Sequence, residues 1–419
     1  MLFEIHVLQN HAPSNLNRDD SGSPKECVFG GYTRARISSQ CLKRTVRRSD
    51  AFQQALGADG LATRTRRLPE IVRQRLMEAG FAPDIAAFAA ERVSGVGSSV
   101  EKATKPRDGK FSTAQTMFLT QQDIEAVVEA VKEQASDKNL AQFKALFAPK
   151  KGKKSSDEED DSEDGGGTKI QRLAQAKGFR PVTVDVALFG RMTTSEAFRD
   201  VEAACQVAHA LSTHKVDHEF DYFTAVDDLQ GVNEAEGEED SGADMIGDVE
   251  FNSACYYKYF SVDAEGLVDN LTGRRTFHQD KSDRAEAQAV AGRAVAALLR
   301  AAVMTTPTGK QNSFAAHQLP SLVLVEARPY PTPVSYANAF VDPARPGKGE
   351  SLVRASLHQM RDHVQALTDG FNLEALARMQ LIPEHKDLAF PGVDVVPDLN
   401  TLCARVQALA QSGPEVPHA

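Results

Sequence analysis

Tryptophan is absent from all 419 residues, and only 7 % of the chain is aromatic. Stacking on large indole surfaces, a common way to hold single-stranded nucleic acid, is therefore ruled out. The five cysteines, Cys27, Cys41, Cys205, Cys255 and Cys403, show no C-x2-C spacing. A disulfide framework or a thiolate zinc site needs closer pairing, so the pattern implies a reducing cytoplasm. No apolar run reads as approaching the roughly 20 residues of a membrane span, and Met1 leads straight into the alternating LFEIHVLQ rather than a signal peptide. Also missing are G-x-S-x-G, H-E-x-x-H and the Rossmann fingerprint, and Gly309-Lys310 lacks the spacing of a P-loop. These absences predict no cofactor, no metal site, no catalytic motif and no membrane partner.

What is present is an ordinary apolar fraction, 41 %, in a chain long enough for two or three domains. The net charge of −10 is unevenly spread. Asp157 to Asp164 holds seven acids, and Glu234 to Glu250 eight more with no Lys or Arg; four lysines, Lys150, Lys151, Lys153 and Lys154, precede the first run. Without these segments the chain is close to neutral. Pro149 to Gly167 cannot bury a core and reads as a disordered insertion.

The strongest signal runs against this acidity. From Lys25 to Arg48 there are seven cations (Lys25, Arg34, Arg36, Lys43, Arg44, Arg47 and Arg48) and one acid, Glu26, with Arg18 just upstream. Such a strip suits a polyanion laid along it. Gly30-Gly31 breaks the chain before a helix that starts near Ser38 or Ser39, with Ser38 as N-cap. Leu42 and Val46 share one face of that helix, while Lys43 and Arg47 form a polar stripe beside Arg44 and Arg48. Lys43, Arg44 and Arg47 are spaced to meet successive phosphates, and the helix start at Ser38, Ser39 and Gln40 offers unpaired N–H donors.

Residues 2 to 9 alternate as a strand. Residues 60 to 147 read as mostly helical, with amphipathic stretches over Leu68 to Ala79, Ile85 to Val93 and Thr113 to Gln134. Helical spacing returns in Phe198, Val201, Cys205, Ala208 and Leu211. KVDHEFDYFTAVDD and EFNSACYYKYFSV then predict a long hairpin, Arg284 to Met304 an Ala-rich helix, and Ser321 to Ala327 a short buried strand. Strand, helix, hairpin, helix, strand is the ferredoxin-like order in an α+β fold, with a helical excursion inserted.

The strings NLNRDD, FGGYTRARISSQCLKR, GRMTTSEAF, HALSTHKVDHEFDYFTAVDDLQ, GKQNSFAA and SYANAF, in this order, closely resemble the CasC family, the CRISPR RNA-binding backbone subunit of the type I-E complex called Cascade. The resemblance implies an RRM-like palm (1–58, 181–211 and 250–419, the last part with C-terminal helices), helical fingers over 59–180 and a hairpin thumb over 212–249. It further implies multiple copies polymerised along a CRISPR RNA, contacts with the handle-binding, large and small Cascade subunits, and presentation of the guide to a target DNA strand, without catalysis by this chain. By the same resemblance Met192, flanked by Arg191 and Thr193, is an apolar wedge beside a displaced nucleotide. Lys310 and Gln311, in a loop after Gly309, join the RNA-binding set.

The rival expectation is a metal-dependent ribonuclease using the adjacent carboxylates Asp19 and Asp20. A second constellation, His214, Asp217, His218 and Asp221, has metal-ligand spacing on a helix, but the local alternation is that of a strand, which makes these polar residues at the thumb base.

Overall fold

The computed structural model describes residues 1–57, 61–96, 109–113, 116–147, 170, 173–174, 182–191, 201–225, 245–273 and 281–412. The acidic run 157–164, residues 234–244 of the second run, and Met192 and Thr193 lie outside the described residues. The chain divides into two units: residues 1–55, 205–268 and 279–419 form the first, and 56–204 with 269–278 the second.

The architecture is mixed α+β around one large, mainly antiparallel sheet. In chain order the strands are β1 (Leu2–Ser14), β2 (Glu26–Phe29), β3 (Tyr32–Ile37), β4 (Thr63–Thr65), β5 (Met117–Leu119), β6 (Cys205–Val207), β7 (Ala210–Ser212), β8 (Glu219–Ala225), β9 (Met245–Asp263), β10 (Leu322–Arg328), β11 (Ala377–Leu381) and β12 (Asp394–Val395). Neighbours in the large sheet run β12-β11-β10-β1-β9-β7-β3-β2, with β6 and β8 also paired to β9.

Strand β1 is the axis of this sheet. It pairs antiparallel with β10 from Leu2↔Arg328 to Leu8↔Leu322 and with β9 from Leu2↔Asp263 to His11↔Ala254. Both of its faces are covered. Phe3, Ile5 and Val7 are wholly buried on the side where the Lys281–Met304 helix packs, and Leu8 joins Tyr257, Tyr259, Tyr336, Phe340, Leu357 and Met360 on the other, under the Leu352–Phe371 helix. That second face also carries charge. Glu4 and Glu326 are fully buried and grip Arg328 between them, Arg328 Nη2 lying 2.9 Å from Glu326 Oε2. Arg378 adds a contact at 2.8 Å to Glu326, while Tyr336 and Tyr259 donate to Glu326 and Glu4 at 2.6 Å. Burial pushes the Glu326 carboxyl pKa up, but His6, Arg328 and Tyr336 outweigh it and hold the group at about 2.

The second unit is a helical cluster. Its helices Leu68–Glu78, Pro83–Val93 and Gln121–Ala135 bury Leu68, Val72, Leu76, Ile85, Val127 and Val131 together, and Phe143 meets Phe88 edge-on at 5.5 Å. The last of these helices starts later than its spacing predicts. Thr120 and Asp123 form a reciprocal capping box there, leaving Met117–Leu119 to pair with Thr63–Thr65.

Three expectations are corrected. The helical spacing read through Cys205 and Leu211 is carried by strands β6 and β7, because both are captured by the long β9: Cys205 pairs with Val262 and Leu211 with Tyr257. The Ala-rich helix is, by length and composition, apolar enough to cross a membrane over Arg284–Met304. However, 67 % of its most apolar 18-residue stretch is buried inside the fold, so its apolarity serves a core. Third, Gly30 and Gly31 do more than interrupt the chain: they form the two-residue loop of the β2–β3 hairpin, with Phe29 paired to Tyr32 and φ of 61° and 82°.

The hairpin loop is latched to a distant segment. A Cβ on Gly30 would collide with the Val341 carbonyl oxygen, whereas one on Gly31 meets open space. Gly31→Ala should therefore cost only the left-handed penalty, about 1 kcal/mol. Gly30→Ala adds backbone displacement and should cost about 3 kcal/mol, a difference that urea-denaturation midpoints of the two variants measure.

At the base of the β8–β9 hairpin, His218 bridges the side chains of Glu250 and Glu26, with Nε2 2.8 Å from Glu26 Oε2. Partial desolvation pulls its pKa down, but the hydrogen bonds to Glu250 and Glu26 prevail and raise it above the ordinary 6.5. The clamp's contribution is thus complete below about pH 6.5 and is lost as pH rises through the higher folded value. The stability lost in His218→Gln should be greatest near pH 6 and shrink at alkaline pH, as thermal unfolding across that range will show.

Candidate nucleic-acid interface

The cationic segment folds as loop, hairpin and helix in the first unit. In the loop, Asp19 Oδ1 accepts from Ser21 N at 2.9 Å, Ser21 Oγ at 2.7 Å and Ser23 N at 3.0 Å. The Ser21 hydroxyl bond in particular lowers the Asp19 pKa. This is a turn stabilised by its own carboxylate. Buried Asn15 donates to Gly22 O at 3.0 Å and to Glu250 O at 2.9 Å, tying the loop to β9. Asn17 Oδ1 accepts from Ser38 N at 2.8 Å, which fixes the loop to the helix start.

Helix α1 (Ser39–Arg48) follows the reading from sequence closely. Ser38 Oγ accepts from Cys41 N at 3.3 Å, Leu42 and Val46 are buried, and Gln40, Arg44 and Arg48 are exposed. Lys43 and Arg47 are half-buried. With no acid in the first turn, nothing within the helix neutralises its positive N-terminal end. Around it the cations act on one another's neighbours. Burial raises the Cys41 pKa, which Lys25 and Arg44 partly offset, and burial pushes the Cys205 thiol up to about 12 against the pull of Lys43.

Arg34 departs from its expected role. It is wholly buried, donating to Ser212 O at 3.1 Å, Phe340 O at 2.7 Å and Val341 O at 3.1 Å, with Phe29 and Tyr32 rings 5.8 and 5.9 Å away. Desolvation lowers its pKa. It supports the strip from below and is shielded from a phosphate ligand. Arg36, on the same strand, is partly exposed: Nε donates to Glu26 O at 3.2 Å and Nη1 to His209 Nδ1 at 3.0 Å.

The Gly309 loop is brought to the same place. A Cβ on Gly309 would lie 2.5 Å from Leu16 O and 2.6 Å from Asn15 O, so only glycine permits this seating. Gly309 and residues 16–22 line an open cleft of about 540 Å³, with Arg18, Asp19 and Asp20 in its wall. Lys310 follows with φ of 50°. Gln311, by contrast, staples its own loop, its Nε2 donating to Pro307 O at 3.0 Å and its Oε1 accepting from Ala316 N at 2.7 Å.

Arg191 belongs to the second unit, where its backbone exchanges two 2.9 Å hydrogen bonds with Val201. His214, Asp217 and His218 do not converge: His214 faces Lys215 O at 2.7 Å, and Asp217 pairs with Lys215 at 3.0 Å. Among the described residues, the grouping close enough to share an ion is Glu4, His6 and Glu326, which Arg328 already bridges. Asn15, Asn17 and His209 were missed by reading the sequence. The first two stand inside NLNRDD, where Asn recurring ahead of a basic segment is a loop signal.

The arrangement offers amides, guanidinium groups and ammonium groups along one strip. Donors of this kind suit an oxyanionic backbone.

Among curated proteins none matches the chain. Solved structures do. A chain of one described as "CRISPR RNA-guided surveillance complex, pre-nicking" is 31 % identical with a TM-score of 0.76, over 98 % of this chain and 100 % of that one. A chain of another, "CRISPR RNA-guided surveillance complex", is 27 % identical with a TM-score of 0.68 over the same shares. The family model of CT1975-like proteins matches residues 3–401, so the strip, the long hairpin and the Gly309 loop all fall within it, and the chain belongs to the CT1975-like protein family.

Proposed function

We propose that this protein is the guide-RNA-binding backbone subunit of a CRISPR surveillance complex of the Cascade type, type I-E, and that it holds the RNA by its phosphates. The observation that carries the reading is the 31 % identity over 98 % of the chain to a chain of an RNA-guided complex. The cationic strip supplies the chemistry. Arg18, Lys25, Arg36, Lys43, Arg44, Arg47 and Lys310, with the α1 N-terminus, would neutralise phosphates, while Arg34 and Gln311 hold the backbone beneath them.

A carrier that must accept any spacer needs this kind of grip, because specificity is left to pairing between guide and target. In this reading several copies line the RNA beside the other Cascade subunits and expose its bases to target DNA in the cytoplasm. The order β10-β1-β9-β7 supports a ferredoxin-like, RRM-like palm, with residues 212–249 as thumb and 59–180 as fingers. Arg191, Met192 and Thr193 would act at the displaced nucleotide.

Salt titration tests the phosphate grip. Affinity for single-stranded RNA should fall with log[salt] at about −0.7 per phosphate neutralised, and Lys25→Ala with Arg44→Ala should flatten that slope by about 1.4 without changing preference among unrelated sequences. A shift in sequence preference would mean these side chains read bases.

The chain is proposed to perform no chemistry. Asp19 gives its Oδ1 to three donors of its own loop, which leaves it poorly placed as a metal ligand. Incubation with guide and complementary RNA in Mg²⁺ or Mn²⁺ should leave both strands intact. Cleavage that vanishes in Asp19→Ala/Asp20→Ala would instead establish the ribonuclease.

A further inference from the structure

His209 lies between β6 and β7, one position past the last β3–β7 pair. Arg36 faces Leu211 and Ile37 faces Ala210, so His209 stands across from Ser38, the N-cap of α1. The side chain is exposed, and its Nδ1 lies 3.0 Å from Arg36 Nη1. Arginine has no acceptor, which gives this contact one sense: the guanidinium donates and Nδ1 supplies the lone pair. Partial desolvation first, then the charges of Arg36 and Lys25, keep the His209 pKa below its ordinary 6.5, so the neutral ring predominates at physiological pH.

Arg36 is thus held at two points of its planar group, Nη1 on His209 and Nε on the Glu26 carbonyl. Among the described residues it has no further side-chain hydrogen-bond partner, so Nη2 and the second Nη1 hydrogen remain for an oxyanion. A guanidinium fixed beforehand spends little rotamer entropy when it meets that ligand, and its fork matches phosphate. We propose that His209 is a positioning residue of the strip, holding the Arg36 guanidinium as a preset phosphate fork. This rests on the reading of the strip as RNA-binding.

Fluorescence anisotropy with the full chain and a labelled single-stranded RNA of arbitrary sequence tests it. Arg36→Ala weakens binding and lowers the salt slope by about 0.7, one phosphate contact. His209→Ala weakens binding about 3- to 10-fold at neutral pH, the effect of one hydrogen bond, yet keeps the salt slope because the Arg36 charge is still present. His209→Asn, whose Oδ1 takes the place of Nδ1, restores most of the affinity, and His209→Ala added to Arg36→Ala costs nothing more. Full affinity in His209→Ala, additive losses, or an Asn variant with a wild-type unfolding temperature and no rescue each overturns the assignment. If wild type binds and Arg36→Ala weakens it while His209→Ala does not, this inference alone falls. If wild type binds no RNA, the reading of the strip falls with it.

Discussion

The central constraint is that β1 has neighbours on both edges and cover on both faces, yet carries charge. Glu4 on β1 and Glu326 on β10 are sealed from water, and an isolated buried carboxylate is strongly unfavourable. Arg328 and Arg378 offset their charge, while Tyr259 donates to Glu4 and Tyr336 to Glu326. The partners come from β9, β10, β11 and the segment around residue 336, so the network is complete only when the C-terminal third has folded over the sheet. Removing one member would leave an uncompensated charge, which is far more costly than the pair is stabilising.

This closure decides where a ligand fits. Sheets that read single-stranded RNA usually display aromatic residues on their central strands. Here His6, Tyr257 and Tyr259 occupy central strands but are buried beneath Tyr336, Phe340 and the Leu352–Phe371 helix. The broad face is unavailable, and the exposed cations lie instead at the β2–β3 edge and along α1. In the proposed reading, recognition therefore moves from stacking to charge, in keeping with the lack of Trp.

Distant segments meet under this edge. Gly30 sits on the Val341 carbonyl, Arg34 reaches Ser212, Phe340 and Val341, Gly309 seats on Asn15 and Leu16, and His218 links Glu26 to Glu250. Each joins the basic segment to β7, β9 or the later chain. Strips of cations repel one another, and a firm base lets them stay close without a ligand.

Local features were legible in the sequence: the alternation of β1, the Gly30-Gly31 break, the Ser38 cap, and the apolar and cationic faces of α1, because each depends on residues only a few positions apart. What tertiary structure decided depends on segments far apart in the chain. Arg34 reads like its cationic neighbours but is buried, since its acceptors are Ser212, Phe340 and Val341. Residues 205–212 have helical spacing but become strands, since β9 supplies their hydrogen bonds. His209 opens one of the strings that carry the family resemblance, yet nothing local marks its contact with Arg36, 173 positions away. A side chain's type and spacing set what it can do, and the partner that folding brings to it sets which of those things it does.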